Sequence, residues 1–194
     1  MMKVLKQSLI KLLWVVFGLL GSFHVCASEL SELLKKPDHV LLMRHAIAPG
    51  IGDPAGYKLQ DCKTQRNLDA TGRAQAQKTG QWMKSQGVSD AIVFTSAWCR
   101  CKETAENLAF SMPVLEPSLN SFFDDMRQGL KSNLNLQKFI GNQLKIKGEK
   151  ALILVTHHVN IAAFTGENVG SGDMVLAKVN SAGKMISFKI YPSP

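Results

Sequence analysis

Apolar residues along this chain fall into a few short, dense runs separated by stretches of helical period. Val40 to Met43, Ala91 to Thr95 and Ala151 to Thr156 are almost unbroken apolar segments, of the length expected for strands buried on both faces. Ahead of them, Ser28 to Lys36 predicts a short helix that Pro37 ends, with the first strand over His39–Met43. A helix is expected from near Thr71, where Gly72, Ala76, Gly80 and Met83 form one small-residue face able to sit close on a sheet. Ser96 is a good N-cap for a helix over Trp98 to Phe110. Pro113 and Pro117 bracket a brief extended piece, and helices are expected over Leu134 to Lys145, along which Leu134, Lys138 and Phe139 are spaced, and from Val159 to Phe164. Two alternating runs, Met174–Val179 and Met185–Ile190, flank Asn180–Lys184 as a closing hairpin. Strands alternating with helices predict an α/β domain: a three-layer αβα sandwich with a mostly parallel central sheet and a C-terminal β-hairpin.

The first 27 residues stand apart from that pattern. Lys3, Lys6 and Lys11 precede an apolar core, Leu12 to Leu20, and Val25-Cys26-Ala27 supplies the small residues of a cleavage site. Residues 1–27 therefore read as a signal peptide, with an uncleaved anchor as the alternative, and 28–194 as one domain in the periplasm. The core is short for a bilayer span, so no stable membrane insertion is expected after cleavage. Three of the 23 basic residues lie in this segment, leaving 20 bases against 15 acids in 167 residues. A surplus of that size without an arginine cluster argues against a nucleic-acid partner and mildly favours anionic substrates. Cys62, Cys99 and Cys101 remain, which in an oxidising compartment predicts one disulfide and one free thiol; the spacing leaves open which of Cys99 and Cys101 joins Cys62. The cysteine spacing is a poor zinc signature, and no metal or cofactor is expected.

Chemistry enters at the strand ends. The first run delivers Arg44 and His45, the last delivers His157, and Ser96 to Arg100 follows the one between. In open α/β sheets the carboxyl ends of strands are where ligands bind. Arginine offers forked donors to phosphoryl oxygens, and a neutral histidine can attack phosphorus. Residues 46–67 form a long loop without periodicity, of the kind that is usually functional.

Four ordered blocks carry a resemblance. They are Leu42-Met43-Arg44-His45-Ala46, Arg66-Asn67-Leu68-Asp69-Ala70-Thr71-Gly72-Arg73, Thr95-Ser96 with Arg100 and Thr104, and Val155-Thr156-His157. Together they resemble the histidine phosphatase superfamily, the phosphoglycerate-mutase-like group, as an exported bacterial member. The resemblance implies that His45 becomes phosphohistidine while Arg44, Arg100 and His157 form the phosphate pocket. Two positions depart from its usual pattern: Ala46 and His158 stand where glycine is common. The stretch Leu119–Asp125 lacks the usual glutamate, which leaves Asp124 or Asp125 as candidates for the general acid. Arg66 is a candidate for substrate binding and Asn160 for support of the site, while His39 reads as a surface residue.

These readings converge on an exported, metal-independent phosphomonoesterase acting on a small phosphorylated substrate, with envelope sugar phosphates such as lipopolysaccharide core phosphate as the expected class. The alternative is a catalytically weak phosphate- or polyanion-binding envelope protein of the same fold. Oligomeric state is not legible in the sequence.

Overall fold

The computed structural model describes residues 28–194; the segment read as a signal peptide, 1–27, lies outside the described residues. Helix α1 spans Glu29–Lys35 and leads into strand β1, His39–Arg44. After the long loop come α2 (Ala70–Ser85), β2 (Ala91–Thr95), α3 (Cys99–Asn107) and the two-residue strand β3 (Val114–Leu115). Helix α4 (Gly129–Leu144), β4 (Ala151–Thr156), α5 (His158–Thr165) and the hairpin of β5 (Met174–Val179) and β6 (Met185–Tyr191) complete the chain.

The six strands form one sheet in the order β3-β2-β4-β1-β5-β6. It is a mixed sheet: three pairings are parallel, while β5 runs antiparallel to both β1 and β6. The hairpin places its first strand beside β1 without a crossover helix, so that strand enters reversed. Alternation along each strand splits the core into two layers. Leu41, Met43, Val93, Ile153 and Val155 pack beneath α1, α2 and α3, and Val40, Leu42, Leu152 and Leu154 pack beneath α4 and α5.

Three local expectations are corrected. Helix α4 begins at Gly129, and Leu136, Ile140 and Leu144 form its buried face, whereas Leu134 is 55% exposed. Its first turn is polar or exposed on every side, so no apolar period marks it. Of the small-residue face of α2, Met83 packs with the sheet core, but the two glycines meet backbone of other segments rather than the sheet. A Cβ on Gly72 would lie 2.0 Å from the Ile47 carbonyl oxygen, and one on Gly80 would lie 2.3 Å from that of Leu108. That close approach fixes the start of the long loop just beyond His45. His39 is buried, with its Nδ1 2.6 Å from Asp38 Oδ1.

Register builds the ligand edge. Arg44 pairs with Thr156 across β1 and β4, and Thr95 pairs with Val155 across β2 and β4. The residues that follow these strands, His45, His157 and Ser96, therefore emerge at one level. The chain leaves β1 toward the α2 side of the sheet and leaves β4 toward the α5 side. Connections that diverge from neighbouring parallel strands open a crevice between them.

Candidate active site

The backbone beyond β1 is held tightly before any side chain acts. His45 N donates to Thr156 O at 3.0 Å, and Ala46 N donates to Thr104 Oγ1 at 3.0 Å. Gln75 Oε1 accepts from Ile47 N at 2.9 Å while its Nε2 donates to Ser171 O at 2.8 Å, tying this segment to the loop before β5.

His45 is buried, and its Nδ1 lies 2.8 Å from the Ala46 carbonyl oxygen. A carbonyl can only accept, so Nδ1 carries the proton and Nε2 keeps its lone pair. Burial, with the guanidiniums of Arg100, Arg66 and Arg44 nearby, depresses the His45 pKa to about 3, so the ring is neutral across the physiological range. The His157 ring sits 5.5 Å from it, centroid to centroid, at 68°. Ser96 Oγ lies 2.8 Å from His157 Nε2, and Trp98 stands edge-on to the ring at 5.2 Å. Burial also holds His157 well below the usual imidazole value, with the neighbouring histidines and arginines adding to the effect.

Ser96 thus serves the site. Helix α3 starts at Cys99 with no cap from the side chain before it; the Ser96 hydroxyl accepts from Trp98 N at 3.3 Å at the helix entry and also engages His157 and Asn120. Asn160, on α5, donates Nδ2 to Asn120 O at 2.9 Å and braces that loop.

Three arginines face these rings across a cavity of about 320 Å³. Arg44 donates Nη1 to Val169 O at 2.8 Å, and its Nε is buried without a protein acceptor. Arg100, 4% exposed, shares that feature: Nη1 contacts Asp53 while Nε has no acceptor. Two guanidiniums that line one cavity, each with a buried Nε lacking a partner, suit it chemically to an anion, because such donors are costly to leave unpaired. Arg66 lines the same cavity, but its head group also pins the loop through the carbonyls of Gly52 and Ala48.

The two acid candidates separate. Asp124 lines the cavity mouth and accepts from Tyr57 Oη at 2.9 Å. Asp125 is absent from the cavity wall; it caps a short 3-10 turn and pairs with Arg127 at 2.7 Å, which lowers its pKa. The structure therefore brings Arg44, His45, Arg66, Arg100, Asp124 and His157 together and leaves Asp125 outside. His158 also reaches the cavity, beside Phe123.

Sequence reasoning missed Asp53, a buried carboxylate inside the aperiodic loop that pairs with Arg100 at 2.8 Å. It also missed Gln65, whose Oε1 accepts from Cys99 N at 2.9 Å. The cysteine pairing left open above is Cys62–Cys99, which fastens the loop to the first turn of α3, while Cys101 is free and buried. Among the described residues no group of three or more His, Cys, Asp or Glu is placed to hold a metal ion, and no helix is long and apolar enough to cross a membrane.

The family model for the histidine phosphatase superfamily (branch 1) matches residues 40–138. No curated protein matches the chain in sequence. Among solved structures the fold is similar to the protein histidine phosphatase SixA complexed with tungstate, at 19% identity and a TM-score of 0.55 over 79% of this chain and 94% of that one. It is also similar to a mycobacterial glucosyl-3-phosphoglycerate phosphatase, at 12% identity and a TM-score of 0.57 over 80% and 98% of the two chains. A phosphoserine phosphatase from Entamoeba histolytica matches at 13% identity and a TM-score of 0.53, over 77% and 95%.

Proposed function

The chain belongs to the histidine phosphatase superfamily, branch 1, and from that premise we propose that it is a phosphomonoesterase working through a phosphohistidine at His45. The observation that carries this reading is the lone pair on His45 Nε2, set by the Nδ1 contact to Ala46 O, beside two guanidiniums with unpartnered buried donors. Such fixed donors favour the charge that a phosphoryl group spreads over its non-bridging oxygens during transfer.

In this mechanism Nε2 attacks phosphorus while the bond to the substrate oxygen breaks. The bonding pair departs on that oxygen, which takes a proton from the carboxyl of Asp124 at the cavity mouth. Arg44, Arg100 and His157 hold the three phosphoryl oxygens. A water then attacks phosphorus, the P–N bond breaks, its electron pair returns to Nε2, and orthophosphate leaves. The Asp124 carboxylate takes the proton of that water, which restores the acid. Arg66 contributes positive charge and shape to the substrate side. We assign no metal to the cycle, because three guanidiniums around the reacting centre make a poor setting for a cation and supply the charge a metal would bring.

The substrate class follows from the address read in residues 1–27: an exported enzyme meets envelope sugar phosphates, with lipopolysaccharide core phosphate as the leading candidate and Ser28 as the mature N-terminus. The test is rapid acid-free quenching after mixing with p-nitrophenyl phosphate labelled at phosphorus. Acid-labile phosphate on the wild type, absent from His45→Ala, and turnover that persists in excess EDTA are expected. Tight orthophosphate binding with neither label nor turnover across a phosphoester panel would establish the binding-protein alternative instead.

A further inference from the structure

Asp53 is a carboxylate at the wall of a cavity lined by three arginines, a placement that opposes anion binding unless the residue does something else there. Its side chain is 5% exposed and both oxygens are fully engaged. Oδ1 accepts from Arg100 Nη1 at 2.8 Å and from Arg66 N at 3.0 Å. Oδ2 accepts from Arg100 Nη1 and from Trp98 Nε1, each at 3.0 Å. Burial pushes this carboxyl upward, yet its bonds to Arg100 and to Arg66 N hold it below the ordinary range. A group so held stays ionised and has no proton to give, so Asp53 is unsuited to the acid role.

Two of those four contacts orient Arg100, and the other two hold Asp53 in place to do so. A guanidinium on a flexible side chain turns about its last bonds, and two oxygens gripping one terminal nitrogen stop that motion. With Nη1 held, the guanidinium keeps one orientation at the cavity wall, its Nε buried without an acceptor. Trp98, the third donor, also packs against His157, so the same carboxylate links both sides of the pocket. Through its own backbone Asp53 ties all of this to the 46–67 loop.

Resting on the phosphatase reading above, we propose that Asp53 is a positioning residue that fixes the Arg100 guanidinium for the transferring phosphoryl group and ties it to the 46–67 loop. The proposal separates two effects of opposite sign. Deleting the negative charge favours binding of any anion in its ground state. Releasing Arg100 removes a pre-aimed donor in the transition state, where such donors matter most.

Asp53→Asn keeps the volume and one acceptor but points an amide N–H at Arg100 or loses an oxygen from it. The expected result is a split. Turnover of p-nitrophenyl phosphate falls on the order of 10- to 100-fold, while inhibition by orthophosphate stays within about threefold of wild type or tightens. Trp98→Phe removes a single hydrogen bond to Asp53 and is the second variant. It should lose kcat in the same direction by roughly two- to fivefold, again with orthophosphate inhibition retained. Melting curves establish that each variant is folded; if Asp53→Asn is not, Trp98→Phe decides. Unchanged kcat in the folded variant overturns the proposal, as does parallel loss of kcat and orthophosphate inhibition, which would make Asp53 merely structural. Absence of turnover and of the phosphohistidine label in the wild type overturns the phosphatase reading, and this proposal with it.

Discussion

Cutting the Cys62–Cys99 bridge tests how the 46–67 loop is held. The bridge joins residues 37 apart in sequence and encloses α2 and β2. Closing a loop of that length in the unfolded chain is worth about 3.8 kcal/mol by the chain-entropy relation. In a domain the size of residues 28–194, each kcal/mol shifts Tm by roughly 2–4 °C, so Cys62→Ser/Cys99→Ser should melt about 8–15 °C below wild type. The loop keeps other anchors in the variant: Gln65 Oε1 still accepts from Cys99 N, and Asp53 still grips Arg100. Hydrogen bonds of this kind contribute about 1 kcal/mol each, more when charged, so activity at 25 °C should fall by less than roughly tenfold. Thermal melts with and without a phosphine reductant provide the assay. The reductant should lower the wild-type Tm by the same amount and leave the double variant unmoved. A shift below about 3 °C, or a double variant that still responds to reductant, refutes the reasoning.

Acid should destabilise the fold earlier than carboxylate titration alone would cause. His45 titrates near 3 in the folded chain and His157 well below its usual value, against about 6.5 for both once unfolded. Between those values the unfolded chain binds protons that the folded chain refuses, so stability is fully present above pH 6.5 and falls as pH drops through 6 and 5. Each ring contributes up to about 1.4 kcal/mol per pH unit in that window. Denaturant midpoints at pH 7, 6 and 5 should decline accordingly, with a shallower decline in His45→Gln; equal slopes in the two proteins would refute it. Lys147 tests the opposite end of the sheet. Its buried ammonium donates to the carbonyls of Leu34 at 2.8 Å and Lys150 at 3.0 Å, where α1 ends and β4 is about to begin. Lys147→Met leaves those oxygens unpaired and should cost about 2–3 kcal/mol in urea unfolding, with kcat unchanged; a midpoint equal to wild type refutes it.

Much of this fold was legible because its core strands are buried on both faces. Runs such as Ala151–Thr156 have no other use for unbroken apolar sequence, and this one appears as a strand buried at every position with the expected bounds. The direction of β5 was not legible, since Met174–Val179 buries every side chain but Lys178, a pattern that fits either direction of entry. Ser96 was legible only in part for a related reason: it accepts from Trp98 N at the helix entry, but its bond to His157 carries no local signal. A serine before a helix satisfies the capping rule, but whether its hydroxyl also reaches a histidine 61 residues away depends on the register of β2 against β4.

The site divides along the same line. Arg44, His45 and His157 sit at strand ends, so the residues that mark the strands also announce them. Asp53 has no such marker: it lies in a segment without period, and its partner Arg100 is 47 positions away. What places it is the loop's closure by Gln65, Arg66 and the disulfide, none of which is a local pattern. A buried carboxylate beside an arginine is favourable only when both are held in register, since either alone is an uncompensated charge. The loop's long-range fastenings are therefore a condition for the arginine pocket. Any change that frees the loop should act first on Arg100, and only afterwards on His45, whose ring is fixed by its own neighbouring carbonyl.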